Sequence, residues 1–184
     1  KIADKIDKEE LKKKLDELSK KQSSNQRNLE QLLELTKRYY VTEKAAQLAD
    51  KLEKLGDEQE ELSKKKSNKE LLSEQKEKNN AFNELSKELD QLKKDNENLK
   101  KPLPLELEKQ KQKDVKEDQE TATEQLEKEI TNSDESENSD KQKATSAKQK
   151  AAGQKMKEMS IQTTDDFKNC GFVGDLSDTY ESIL

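Results

Sequence analysis

The side chains able to do chemistry in this sequence are carboxylates, lysines and one thiol, Cys170; histidine is absent. Without imidazole there is no Ser-His or Cys-His nucleophile, no histidine-bound zinc, and the commonest general base is missing. A lone cysteine excludes an intramolecular disulfide and a multi-cysteine metal site. Thiolate activation needs a helix N-terminus or a nearby cation. Only Lys168 is close in sequence, so Cys170 in Asn169-Cys170-Gly171-Phe172 reads as an inert thiol. The acids and glycines between Asp165 and Asp178 invite comparison with a calcium loop. Starting that loop at Asp166 puts Gly171 correctly at the sixth position. Lys168 and Cys170 then take the third and fifth, and Ser177 stands at the twelfth, where a bidentate Glu is needed. The comparison fails.

Phosphate chemistry finds no support either. Gly56 and Gly153 stand alone, and neither G-x-x-x-x-G-K-[ST] nor G-x-G-x-x-G occurs. The run Lys64-Lys65-Lys66 with Lys69 has no aromatic neighbour for base stacking and reads as a solvated helix end rather than a nucleic-acid site. A catalytic carboxylate pair needs a cleft that drives its two pKa values apart. Here acids and lysines alternate along what read as solvated helix faces. Ser182-Ile183-Leu184 has the form of a C-terminal ligand captured by strand addition, a pattern short enough to arise by chance. The expectation is a chain that is not an enzyme and holds no cofactor or metal.

The elements that would position any of these groups are helices. Charged residues make up 43% of the 184 and apolar ones 27%, against about 25% and 45–50% in ordinary globular domains. So few large side chains predict no three-dimensional core. A helical seam needs only about two apolar positions in seven, and stretches without them are expected to be disordered. Net charge is only −5, with Lys and Glu interspersed as in i,i+4 pairs. No stretch approaches the roughly 18 apolar residues of a membrane span. The chain opens on Lys1, which leaves room for a preceding signal or anchor.

The spacing predicts an all-α protein of extended helices and a coiled-coil hairpin, with a disordered linker and tail. Residues 2–66 form the first helical segment. Ile2, Ile6, Leu11, Leu15 and Leu18 mark one stripe, Ser23-Ser24-Asn25 a weak break, and Leu32–Tyr40 the best candidate for a packed core. From Ala45 a heptad seam runs through Leu48, Leu52, Leu55, Gln59 and Leu62, with Gly56 weakening it by about 1 kcal/mol. Ser67 and Glu70 read as a capping box opening the long helix 67–100. Its seam is Phe82, Leu85, Leu89, Leu92, Asn96 and Leu99. Asn96 at an a position either sets register or marks a fraying end. Pro102 and Pro104 end that helix, and a thin stripe of Val115, Ala122, Leu126 and Ile130 completes the segment 101–131. A flexible acidic linker is predicted over 132–145 and a short helix over 146–160. The tail 161–184 is of another character, with five acids against one Lys and two of the three Phe.

Several phrases carry a resemblance. They are Leu29-Glu-Gln-Leu-Leu-Glu-Leu-Thr-Lys-Arg-Tyr-Tyr, Lys44-Ala-Ala-Gln-Leu-Ala-Asp-Lys-Leu-Glu-Lys-Leu-Gly-Asp-Glu-Gln, Glu88-Leu-Asp-Gln-Leu, Asn98-Leu-Lys-Lys-Pro-Leu, and Ala147-Lys-Gln-Lys-Ala-Ala-Gly-Gln-Lys-Met-Lys-Glu-Met-Ser. These are similar to large Bacteroidetes proteins that form a domain-of-unknown-function family, with transmembrane helices near the N-terminus and a long Lys/Glu-rich helical part. Over about 1–160 the resemblance implies an internal piece of a membrane-anchored parent. It departs after Ser160, where a truncated or divergent end is expected.

The function expected from the residues is structural pairing of helices. The seam of Leu48, Leu52, Leu55, Leu62, Phe82, Leu85, Leu89, Leu92, Asn96 and Leu99 would fold on itself or take another helical protein chain. Neither nucleic acid nor a membrane is an expected partner of this segment. The alternative is a hairpin clamp for a protein client, which predicts exposed apolar surface around Leu32–Tyr40.

Overall fold

The computed structural model describes residues 8–105, 107, 109–131 and 138–169. Helices α1 (Lys8–Leu62), α2 (Lys69–Glu97), α3 (Lys109–Thr131) and α4 (Asn138–Asn169) form an all-α architecture, with no strand among the described residues. Each helix packs against its neighbours in sequence, and α4 closes the ring against α1. Cross-helix pairs run in opposite senses: Lys44 with Glu88, Lys76 with Glu127, Lys155 with Asp118 and Lys157 with Asp57. The result is an up-down-up-down four-helix bundle.

This core is larger than the composition predicts. The two strong seams do meet, but as half of a bundle whose other half is built from weak stripes. From α3 it takes Val115, Ala122 and Leu126, and from α4 Ala152, Met156 and Met159. Small and polar residues fill the space that leucines would otherwise need: Gln59, Gln75, Ser86, Gln119, Thr145, Gln149 and Thr163 are all buried. Close packing therefore survives with few large side chains.

Four boundaries differ from the sequence reading. Helix α1 runs straight through Ser23-Ser24-Asn25, because each such residue costs only a fraction of a kcal/mol amid good helix formers. The N-cap of α2 is Asn68, whose Oδ1 accepts the Leu71 N–H at 2.7 Å, while Ser67 turns its hydroxyl to Glu129. Helix α4 starts at Asn138, inside the predicted linker, and continues past Ser160 to Asn169. Its Thr163 is buried, so the change in composition after Ser160 does not end the helix. Cys170, Ser182 and Leu184 lie outside the described residues.

Candidate interaction surface

All ten predicted seam residues are buried. Leu48, Leu52, Phe82, Leu89 and Leu92 are fully enclosed, and Leu55, Leu62, Leu85, Asn96 and Leu99 nearly so. Each enclosed leucine contributes about 1.5–3 kcal/mol by leaving water. Asn96 does not mark a fraying end. Its Nδ2 donates to the Leu103 carbonyl and its Oδ1 accepts the Leu103 N–H, both at 2.8 Å. That amide pins the proline-containing connection beneath the bundle, with Leu99 and Leu103 buried beside it.

One buried glutamine from each helix meets across the bundle. Gln59 Nε2 and Gln149 Nε2 donate to Gln75 Oε1 at 2.8 and 2.9 Å, and Gln119 Nε2 donates to Gln59 Oε1 at 3.0 Å. Gln75 also donates to Asn79, which in turn donates to Thr123 at 2.9 Å. In an apolar interior a satisfied network of this kind selects one register, since any slip strands a buried amide. The sequence reading had placed only Gln59 in a seam. Along the same helices, Gly56 and Gly153 face each other where α1 crosses α4. A Cβ on Gly153 would lie 2.6 Å from the Gly56 carbonyl oxygen.

Ion pairs fasten the flanks. The Asp118 carboxylate is almost wholly enclosed and takes Lys148 and Lys155 at 2.8 and 2.5 Å. Burial pushes its pKa up, but the hydrogen bonds from the two ammonium groups outweigh that and hold it below the ordinary carboxylate value. Lys148 is correspondingly raised by Asp118. Hydrogen bonds from Lys44 and Lys51 lower Glu88, and Asp57 and Glu60 raise Lys157. These are opposite-charge clamps between helices.

The bundle takes up α1 only from Val41 onward. The stretch before it continues as one helix for about 50 Å at 1.5 Å per residue. Here the sequence reading needs correction: Leu32–Tyr40 is not a packed core. Leu32, Leu33, Tyr39 and Tyr40 are each about half exposed, and Leu18 and Leu29 are 63% and 68% exposed. Leu11, Leu15, Leu18, Gln22, Asn25, Leu29, Leu32, Thr36 and Tyr39 follow each other at alternating steps of four and three. This is a second heptad seam. At about 100° per residue, the two-residue step from Tyr39 to Val41 turns it roughly half a turn away from the bundle seam. The two apolar stripes of α1 therefore face opposite directions.

The opposite side of the extension is occupied. Glu34 Oε1 accepts the Lys100 N–H at 2.7 Å, Arg38 donates to the Lys101 carbonyl at 3.1 Å, and Glu30 lies 3.9 Å from Lys100 Nζ. The α2–α3 connection thus braces the root of the extension from behind and leaves the leucine stripe outward. Two signals made this legible in principle: the heptad step persists through Gln22 and Asn25, and Glu30, Glu34 and Arg38 stand at i,i+4 spacing. Ser23-Ser24-Asn25, polar residues that disfavour a helix interior, mask the first.

Among the described residues no group of three or more Cys, Asp or Glu is placed to hold a metal ion, and no helix is long and apolar enough to cross a membrane. Comparison with protein-family models, with curated proteins and with solved structures returns no match for the chain.

Proposed function

We propose that this chain is a structural interaction module, in which a braced four-helix head carries a helical arm that pairs with another protein helix. The observation behind this reading is the outward leucine stripe on an arm whose opposite side is tied to the bundle. Exposed apolar patches of this extent commonly mark protein contacts. A seam of a/d leucines takes a helix rather than a globular surface. In the setting the sequence resemblance implies, the arm would join a membrane-anchored parent to a partner or to itself.

The test is to replace Leu15, Leu18, Leu29 and Leu32 by Gln in the whole chain. The expected outcome is loss of hydrophobic-dye binding and of association, with the bundle's melting transition unmoved, because exposed positions cost little. Unfolding of the bundle by these changes would make the stripe a folding element and sink the proposal.

A second reading, a clamp for non-native protein clients, is favoured by the exposure of Leu32, Leu33, Tyr39 and Tyr40 at the root of the arm. It predicts suppression of client aggregation at equimolar chain. Pairing through a heptad seam predicts binding to one helix in one register and no such suppression.

A further inference from the structure

The stripe also carries information about its occupant. We infer that the arm pairs with the arm of a second copy of this chain, antiparallel, in one register centred between Ser23 and Ser24. The inference rests on the interaction-module reading above.

Antiparallel coiled coils bring a positions opposite d positions. Taking Leu15, Gln22, Leu29 and Thr36 as a, and Leu11, Leu18, Asn25 and Leu32 as d, these eight positions are self-complementary under a two-fold axis, while Tyr39 beyond them falls opposite Lys8. Leu15 meets Leu32, Leu18 meets Leu29, Gln22 meets Asn25, and Leu11 meets Thr36, each pair occurring twice. This is the reciprocal pattern a closed two-fold interface requires. The amides meet only each other, at its centre. A slip of one heptad in either direction sets Gln22 against Leu18 or Leu32, and Asn25 against Leu15 or Leu29. Each amide then loses its partner inside an apolar seam, which is the means by which a polar a or d residue fixes register.

Charge decides orientation. A parallel, in-register pair stacks Lys12-Lys13-Lys14 of both copies at one level. The antiparallel pair separates the two lysine triplets by about 30 Å at 1.5 Å per residue, well beyond the Debye length. Lys12 and Lys14 then flank Leu33 and Leu35 of the other copy, which their methylene stems can cover. No like charges face each other at the flanking positions: Ser19 stands opposite Gln26, and Lys21 opposite Asn28. The bundles, bound to the other face of α1, end up at the two ends of the paired arms.

The experiment uses the full chain with Cys170→Ser. Light scattering over a concentration series should rise from the 21.2 kDa chain to twice that mass. Leu18→Lys with Leu29→Lys should raise the dimer dissociation constant at least 100-fold while the bundle melts as before. For orientation, chains bearing Leu18→Cys are mixed with chains bearing Leu29→Cys under air oxidation. The expected product is the mixed disulfide dimer, with neither variant cross-linking to itself. Self-cross-linking of Leu18→Cys would mean a parallel pair and overturn the inference. A mass of one chain at every concentration would also overturn it, the occupant then being the chain's own residues 170–184 or a different protein. In that case, dye binding that the glutamine substitutions abolish leaves the interaction-surface reading standing, whereas unfolding of the bundle by those substitutions removes both.

Discussion

Replacing Gly153 by alanine should destabilise the bundle, although alanine is the better helix former. Inside a helix the change is ordinarily worth about 1 kcal/mol in favour of folding. Here the added Cβ would sit 2.6 Å from the Gly56 carbonyl oxygen, 2.8 Å from Glu60 Cγ and 3.2 Å from the Glu60 nitrogen. The Glu60 side chain can swing aside; the two helix backbones cannot. Reaching an ordinary contact of about 3.4 Å requires α1 and α4 to move apart by roughly 0.8 Å. A gap of that size forfeits a quarter to a half of the dispersion between facing atoms, here along the crossing that holds Leu52 and Met156. Overpacking of this kind costs about 1–3 kcal/mol. Set against the helix-propensity gain, the net loss is up to about 2 kcal/mol, or up to roughly 8 °C in melting temperature. Gly56→Ala meets the Gly153 carbonyl oxygen at 2.8 Å and should behave alike. The double variant should lose less than the sum, because one separation relieves both clashes. Thermal and urea melts followed by circular dichroism measure this, with Ser23→Ala on the exposed arm as the control that helix propensity alone should favour. A melting temperature for Gly153→Ala above that of the unmodified chain, as helix propensity alone would give, would refute the close crossing.

Further outcomes follow from the same contacts. Gln75→Leu leaves the buried Gln59 and Gln149 short of partners and should cost about 2–4 kcal/mol in urea unfolding. Changing all four layer glutamines to Leu should instead keep or raise stability while broadening the NMR spectrum, as register selection is lost. Asn96→Ala should cost about 1–3 kcal/mol and speed hydrogen exchange at the Leu103 amide, which that side chain now holds. Asp118 is held below its ordinary 3.8, so its contribution to stability is complete above about pH 4 and is lost as pH falls through the depressed value. Asp118→Asn should flatten that acid limb in a pH series of melts; an unchanged acid limb would mean the two lysine contacts do not form.

Local periodicity made much of the molecule readable. Alternating three- and four-residue steps at 45–62 and 82–99 give amphipathic helices, and the short turn between them is compatible with antiparallel packing of the two seams, though each could equally take a second chain. Every residue placed in those seams is buried. The weak stripes of α3 and α4 were visible as helices but not as core. Val115, Ala122, Ala152 and Met156 bury little on their own and matter only once two stronger helices supply a facing groove. A charge-rich stretch likewise says little about its own boundaries, because ion pairs such as Asp118 with Lys148 and Lys155 form only after packing brings them together.

By itself, then, the sequence determined the helical class, the phase of each strong seam and the missing chemistry of a chain without histidine. These depend on residue identity and on neighbours three and four positions away. Tertiary structure alone decided that Gln59, Gln75, Gln119 and Gln149 share one layer, that Gly56 lies on Gly153, and that Asn96 reaches Leu103. It also decided which apolar stripe of α1 is covered. Both stripes have the same spacing. The difference is that three more helices converge on the face beginning at Val41, and the α2–α3 connection braces the arm from that same side.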